Sequence, residues 1–238
     1  MEVFRGQTRI VTTVTSEGLV HVAGIKDLAE AKMLVECGVK FLGFPLVLDI
    51  HREDLTVHEA AAIVKAMRSH ATFFLITYLA RSSEILALCD LLGVSMVQLH
   101  AAVDVGDLRS LRTKRPGLRV VKSLVVRSDN CDELADEVGR FAPWVDTFIT
   151  DTYDPATGAS GATGKTHDWS VSRRLVELSP KPVVLAGGLN PGNVRAAIAA
   201  VQPAGVDVHT GIEGPDGRKR RDLTEHFVAE ARAGFAQA

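Results

Sequence analysis

Eight short apolar runs rich in β-branched and aromatic residues recur along the 238-residue chain, and nothing else constrains its fold as strongly. They are LVHVAG from Leu19, KFLGF from Lys40, TFFLITYL from Thr72, SMVQLH from Ser95, LRVVKSLVV from Leu118, WVDTFITDT from Trp144, KPVVLAGG from Lys181 and GVDVHTG from Gly205. Most begin about 20 to 35 residues apart, with helical signals between them. Strands alternating with helices at this spacing require a parallel sheet with right-handed crossovers. Eight such units favour closure over an open sheet. The expected fold is α/β, a single (β/α)8 TIM barrel over residues 18–238, preceded by a short N-terminal extension over residues 1–17.

The intervening segments carry specific start and stop signals. TVHE (Thr56 to Glu59) fits a capping box, in which a hydroxyl and a carboxylate reciprocally satisfy free backbone N–H groups. Asp27 and Ser82 are expected N-caps, and LNPGNV places Pro191 at a first helical position after Asn190. Gly38 and Gly93 follow helical patterns where a left-handed residue closes the helix.

Composition bounds the partners. An apolar fraction of 46% with 24% charged residues supports a sizeable core, and a net charge of -2 offers no surface for a polyanion. The one dense basic run, GRKRRD (Gly217 to Asp222), reads as a solvated loop and helix start. Three cysteines, Cys37, Cys89 and Cys131, lack metal-ligand spacing and read as free thiols in helices. The N-terminal residues lack the apolar core of a signal peptide, and no apolar run approaches the length of a membrane span. The expectation is a cytoplasmic protein with no cofactor, no metal, no nucleic-acid partner and no membrane partner.

Function in a barrel of this kind belongs at the C-terminal ends of the strands. Two Gly-rich ends, AGGLNPGN after strand seven and HTGIEGPDG after strand eight, let backbone N–H groups approach an anion closely. Their joint placement predicts a phosphate site at Gly187, Gly188, Thr210 and Gly211. Asp151 is expected to end strand six, before a 16-residue Gly/Thr/Ala-rich loop, and is a candidate proton donor. His21, His51, His100 and His209 lie near strand ends. Alternation puts His21 and Ala23 on one side of their strand, and Asp207 and His209 on one side of theirs. Lys122 is a candidate for an inward-facing lysine able to form a Schiff base, with pairing to a carboxylate such as Asp207 as the plainer account.

These residues together resemble phosphoribosylanthranilate isomerase. The resemblance runs from Leu19 to the C-terminus and rests on VQLH (Val97 to His100), DT followed by GATGKTHDW (Gly161 to Trp169), LAGGLNPGNV (Leu185 to Val194) and GVDVHTGIE (Gly205 to Glu213). It implies an Amadori rearrangement of a phosphoribosyl amine, with a general acid that opens the sugar ring and a general base that takes the C2 proton. It matches Asp151 to the acid, the Gly-rich ends to the phosphate turns, and Arg52 to the arginine that holds the aromatic carboxylate. Gln98 and His100 join Arg52 as candidate substrate contacts.

The departures fall on chemistry. The family's first strand ends in KICG, whose cysteine is the base; here HVAG puts Ala23 in its place. The Ser-Pro-Arg segment after strand two reads PLVLDIHRED, QLHG ends in Ala101, and the serine pair after strand eight is His209 and Thr210. The resemblance therefore implies a diverged paralogue that keeps phosphosugar binding. Three readings stay open: an isomerase with His51 or His209 as base, a lyase or aldolase acting through Lys122, and a non-enzymatic phosphometabolite binder.

Overall fold

Each of the eight runs becomes a strand, and the strands close on themselves. The computed structural model describes residues 18–48, 53–127, 129–154, 159–160, 164 and 166–238. Its elements run β1 (Leu19–Ala23), α1 (Leu28–Glu36), β2 (Phe41–Pro45), α2 (Val57–Met67), β3 (Thr72–Thr77) and α3 (Ser82–Leu92). They continue as β4 (Met96–Leu99), α4 (Val105–Lys114), β5 (Arg119–Val126), α5 (Cys131–Phe141), β6 (Thr147–Asp154) and β7 (Ala159–Ser160). The chain ends with α6 (Trp169–Leu178), β8 (Val183–Leu185), α7 (Val194–Val201), β9 (Gly205–Val208), a 3-10 turn (Thr210–Ile212) and α8 (Arg221–Phe235). Parallel pairing of β5 with β6, and of β1 with both β2 and β9, closes the sheet into a (β/α)8 barrel. β7 lies outside this count. It pairs antiparallel with the end of β6, Tyr153 opposite Ser160, and was not expected from the sequence. The expected extension over residues 1–17 lies outside the described residues.

The local signals decide the helix ends. Asp27 accepts the Glu30 N–H at 2.8 Å, and the Thr56–Glu59 capping box is formed in both directions. Each cap satisfies backbone N–H groups that the first helical turn would otherwise leave free. Two expectations need correction. Arg81, not Ser82, holds the cap position of α3, because the Ser82 N–H is satisfied from another helix by the Asp107 carboxylate at 2.7 Å. α7 begins at Val194 rather than at Pro191, because Asn190 Oδ1 accepts the Gly192 N–H at 2.9 Å and spends that segment on a turn.

Strand alternation sorts the core into two layers. Outward residues such as Val22, Leu42, Phe44, Leu75 and Val97 pack against the helices. Inward residues, Ala23, Phe74, Ile76, Met96, Val121, Ile149, Val184 and Ala186, fill the barrel. His21 shares the inward face one layer below Ala23, with its ring centroid 5.0 Å from Phe41 and 5.2 Å from Phe74. Burial pushes its pKa down to about 4, so it sits in the barrel as a neutral, structural imidazole.

Lys122 alternates the other way, which corrects its expected inward direction. It faces α5, with Nζ 5.9 Å from the centre of the Phe141 ring, and donates to the Ser123 carbonyl at 2.8 Å. Burial lowers its pKa to about 8, yet it does not line the cavity inside the barrel. The GRKRRD run is not wholly solvated either: the Lys219 side chain is fully enclosed. No described helix is long and apolar enough to cross a membrane.

Candidate active site

The C-terminal ends of the strands surround a cavity of roughly 250 Å3. Ala23, Gln98, His100, Asp151, Asp207 and His209 line it, together with Gly187, Gly188, Thr210 and Gly211. The topology thus brings together eight of the ten expected site residues from four strand ends, Thr210 and Gly211 among them. His51 and Arg52 lie outside the described residues. Among the described residues, no cluster of three or more His, Cys, Asp or Glu side chains could hold a metal ion.

Asp151 stands inside β6 rather than at its end, since the strand continues to Asp154 and into the β7 hairpin. Both its oxygens are engaged: Oδ2 lies 2.8 Å from His100 Nε2, and Oδ1 accepts the Thr152 N–H at 2.8 Å. His100, just past β4, stacks on Tyr78 with centroids 5.0 Å apart and rings 13° from parallel. The imidazole is therefore held in one plane, with Nε2 facing Oδ2. Below them Gln98 donates to Ser123 Oγ at 3.1 Å and forms part of the floor.

Asp207 is a second carboxyl in the same cavity, and the sequence reading gave it no catalytic role. Its Oδ1 is enclosed without a hydrogen-bond partner. Burial first, and then the charge of Asp151, push its pKa up to about 8, against the pull of Lys219. The folded state therefore keeps a proton that the unfolded chain releases above its ordinary value of 3.8. Stability falls as pH rises from 3.8 towards 8, and the cost then levels off. Asp207→Asn is expected to raise the melting temperature, with little gain at pH 4 and the largest gain near pH 8. Thermal melts across that range check it; a gain independent of pH would contradict the assignment.

His209 follows β9 and reaches across to β1. A Cβ on Gly24, the residue after Ala23, would run into its imidazole. Gly24 also has φ +76, so both the close approach and the backbone require glycine there. The imidazole thus lies over the end of β1, beside the place that Ala23 leaves without a functional group. Its Nε2 is 3.6 Å from Glu213 Oε1.

The two Gly-rich ends meet beside it. A Cβ on Gly211 would collide with the Leu189 carbonyl, so the turns after β8 and β9 touch backbone to backbone. Thr152 Oγ1 and Ser172 Oγ hold the two nitrogens of His167 at 2.8 and 2.6 Å, against the Gly187 turn. Burial lowers the His167 pKa to about 4, so this brace is neutral. It escaped the sequence reading because only the fold brings residue 167 against 187. On the opposite wall, Val47 adopts φ +55, a strained conformation for a β-branched residue. Glu53 accepts its N–H at 2.5 Å, and its carbonyl accepts from Thr77 Oγ1 at 3.4 Å. This turn carries Leu48 to the cavity edge, near Asp54.

Comparison with known proteins agrees with this geometry. A family model described as N-(5'-phosphoribosyl)anthranilate (PRA) isomerase matches residues 20–230. N-(5'-phosphoribosyl)anthranilate isomerase 2 of Methanosarcina mazei is 35% identical over 217 residues, covering 91% of this chain and 95% of that protein. The N-(5'-phosphoribosyl)anthranilate isomerase of Methanothrix thermoacetophila is 32% identical over 214 residues, covering 90% and 98%. The crystal structure of phosphoribosyl anthranilate isomerase from Thermotoga maritima superposes with a TM-score of 0.77 at 26% identity, over 91% of this chain and 99% of that one.

Proposed function

We propose that this chain, which belongs to the phosphoribosylanthranilate isomerase family, catalyses an Amadori-type aldose–ketose isomerisation of a phosphoribosyl amine, with Asp151 as acid and His209 as base. The observation that carries the reading is the imidazole of His209 over Gly24, beside the unfunctionalised Ala23.

The phosphate is assigned to the turns at Gly187–Gly188 and Thr210–Gly211. No lysine or arginine is among the described residues lining the cavity, so backbone N–H groups would hold the anion. β8 lies between β6 and β9 in the sheet, which puts the phosphate turn between the strands of acid and base. In the first step the Asp151–His100 pair gives its proton to the ring oxygen as the C1–O bond breaks, and the amine nitrogen forms a double bond to C1. His209 then takes the C2 proton, leaving an enolamine. Loss of the C2 hydroxyl proton and protonation at C1 complete the aminoketose. No electron leaves or enters, so the sequence needs no redox partner.

Support for the isomerase over the lyase reading comes from Lys122, which faces α5 and not the cavity. The direct test is loss of phosphoribosylanthranilate fluorescence, with the substrate generated in situ, for wild type and Ala23→Cys side by side. Wild type is expected to turn over and the thiol to add nothing, because the imidazole already occupies the end of β1. Activity only in Ala23→Cys would overturn the His209 assignment. Inactivity of both would overturn the isomerase reading.

A further inference from the structure

We propose that Glu213 is the positioning residue for His209, and that the enclosed Lys219 sets how much of its negative charge the imidazole feels. The inference rests on the reading of His209 as base.

One oxygen is shared between two cations-to-be. Glu213 Oε1 lies 2.5 Å from Lys219 Nζ and 3.6 Å from His209 Nε2. The carboxylate cannot drift. The Glu213 N–H donates to the Thr210 carbonyl at 3.0 Å, and residues 213 and 219 pair as a short antiparallel bridge. Lys219 is fixed in turn, because its N–H donates to Glu30 Oε1 at 2.8 Å while Glu30 Oε2 accepts the Lys26 N–H at 2.7 Å. Glu30 is itself buried, so the loops after β1 and β9 are tied through one enclosed carboxylate.

A buried Lys–Glu pair by itself is weak evidence of anything beyond structure, since desolvation offsets most of its attraction. The neighbour gives this one another use. Where the family resemblance expects a serine, this chain has His209, a group that gains a proton during the proposed reaction. An imidazolium is stabilised by a carboxylate at this distance, which favours the ring orientation that turns Nε2 towards Glu213. Lys219, on the far side of the same oxygen, subtracts from that field. Among the described residues, the other charged or titratable groups around His209 are Asp207 on its own strand, Asp151 on β6, and Asp54 with Lys26 from the loops after β2 and β1.

The experiment is an NMR titration of the His209 imidazole in the full-length protein, its signal assigned by its loss in His209→Asn. Glu213→Gln is expected to lower the titration midpoint by about one pH unit, and Lys219→Met to raise it by a similar amount. Both substitutions disturb the same buried pair, so a purely structural role would move the midpoint alike in both. Glu213→Gln leaves an enclosed ammonium without its partner; if it does not fold, the double variant Glu213→Gln/Lys219→Met removes both charges and should still titrate below Lys219→Met. Midpoints that coincide, or move the same way, would overturn the proposal. Opposite shifts in a protein without turnover would keep the charge coupling and discard the base assignment. Turnover that depends on His209, with no shift in either variant, would keep the base and discard the coupling.

Discussion

His209→Asn is expected to lower isomerisation by about 10²- to 10⁴-fold, with KM little changed and the fold intact. The expectation follows from placement. Among the described residues it is the His209 imidazole that lies over the end of β1, and Asn keeps polarity while removing the basic nitrogen. A steady-state comparison with wild type, accompanied by thermal melts, separates lost chemistry from lost folding. Retained turnover would move the base elsewhere, with His51→Asn as the next variant to measure.

Asp151→Asn should have a comparable effect on the other half of the reaction, about 10²-fold or more in kcat. The amide preserves size and can still meet His100 Nε2 and the Thr152 N–H, the two contacts that orient the side chain. What it cannot do is deliver a proton to the ring oxygen. His100→Asn should cost less than Asp151→Asn, because Asp151 would keep its Thr152 contact and could still exchange protons with water. Unchanged turnover in Asp151→Asn would reduce the residue to a brace between β4 and β6.

The fold was legible because closure of a barrel leaves its mark on every strand. Alternating side-chain direction in LVHVA puts His21 and Ala23 inward and Val22 outward, and all three are buried because the barrel is packed on both faces. The failures share a different cause. Lys122 was read without its register, and one residue of register turns a side chain from the lumen to α5. Ser82 and Pro191 were read from local preference, where a distant Asp107 and an Asn190 turn decide instead. Asp151 and His100 are each legible as candidates, Asp151 from its strand and long loop and His100 from VQLH, but their pairing is not, since they come from different βα units. Glu213 carried a faint signal, four residues after His209 in GVDVHTGIE. Strand periodicity does not extend through a 3-10 turn, so the spacing alone said nothing of their contact.

The pairing of β1 with β9 has a genetic consequence. The vacant place at Ala23 and the imidazole that covers it are encoded at opposite ends of the chain, yet belong to neighbouring strands. A single crossover between this gene and a relative with the family's cysteine, anywhere from β2 to β8, would separate them. One recombinant would carry both cysteine and histidine and would crowd the end of β1. Its reciprocal would carry neither, and under the proposed mechanism would lack a base. Under the proposed assignment the two recombinants of a half-barrel exchange would therefore differ in chemistry even where the folds are interchangeable, because positions 23 and 209 would be inherited from different parents.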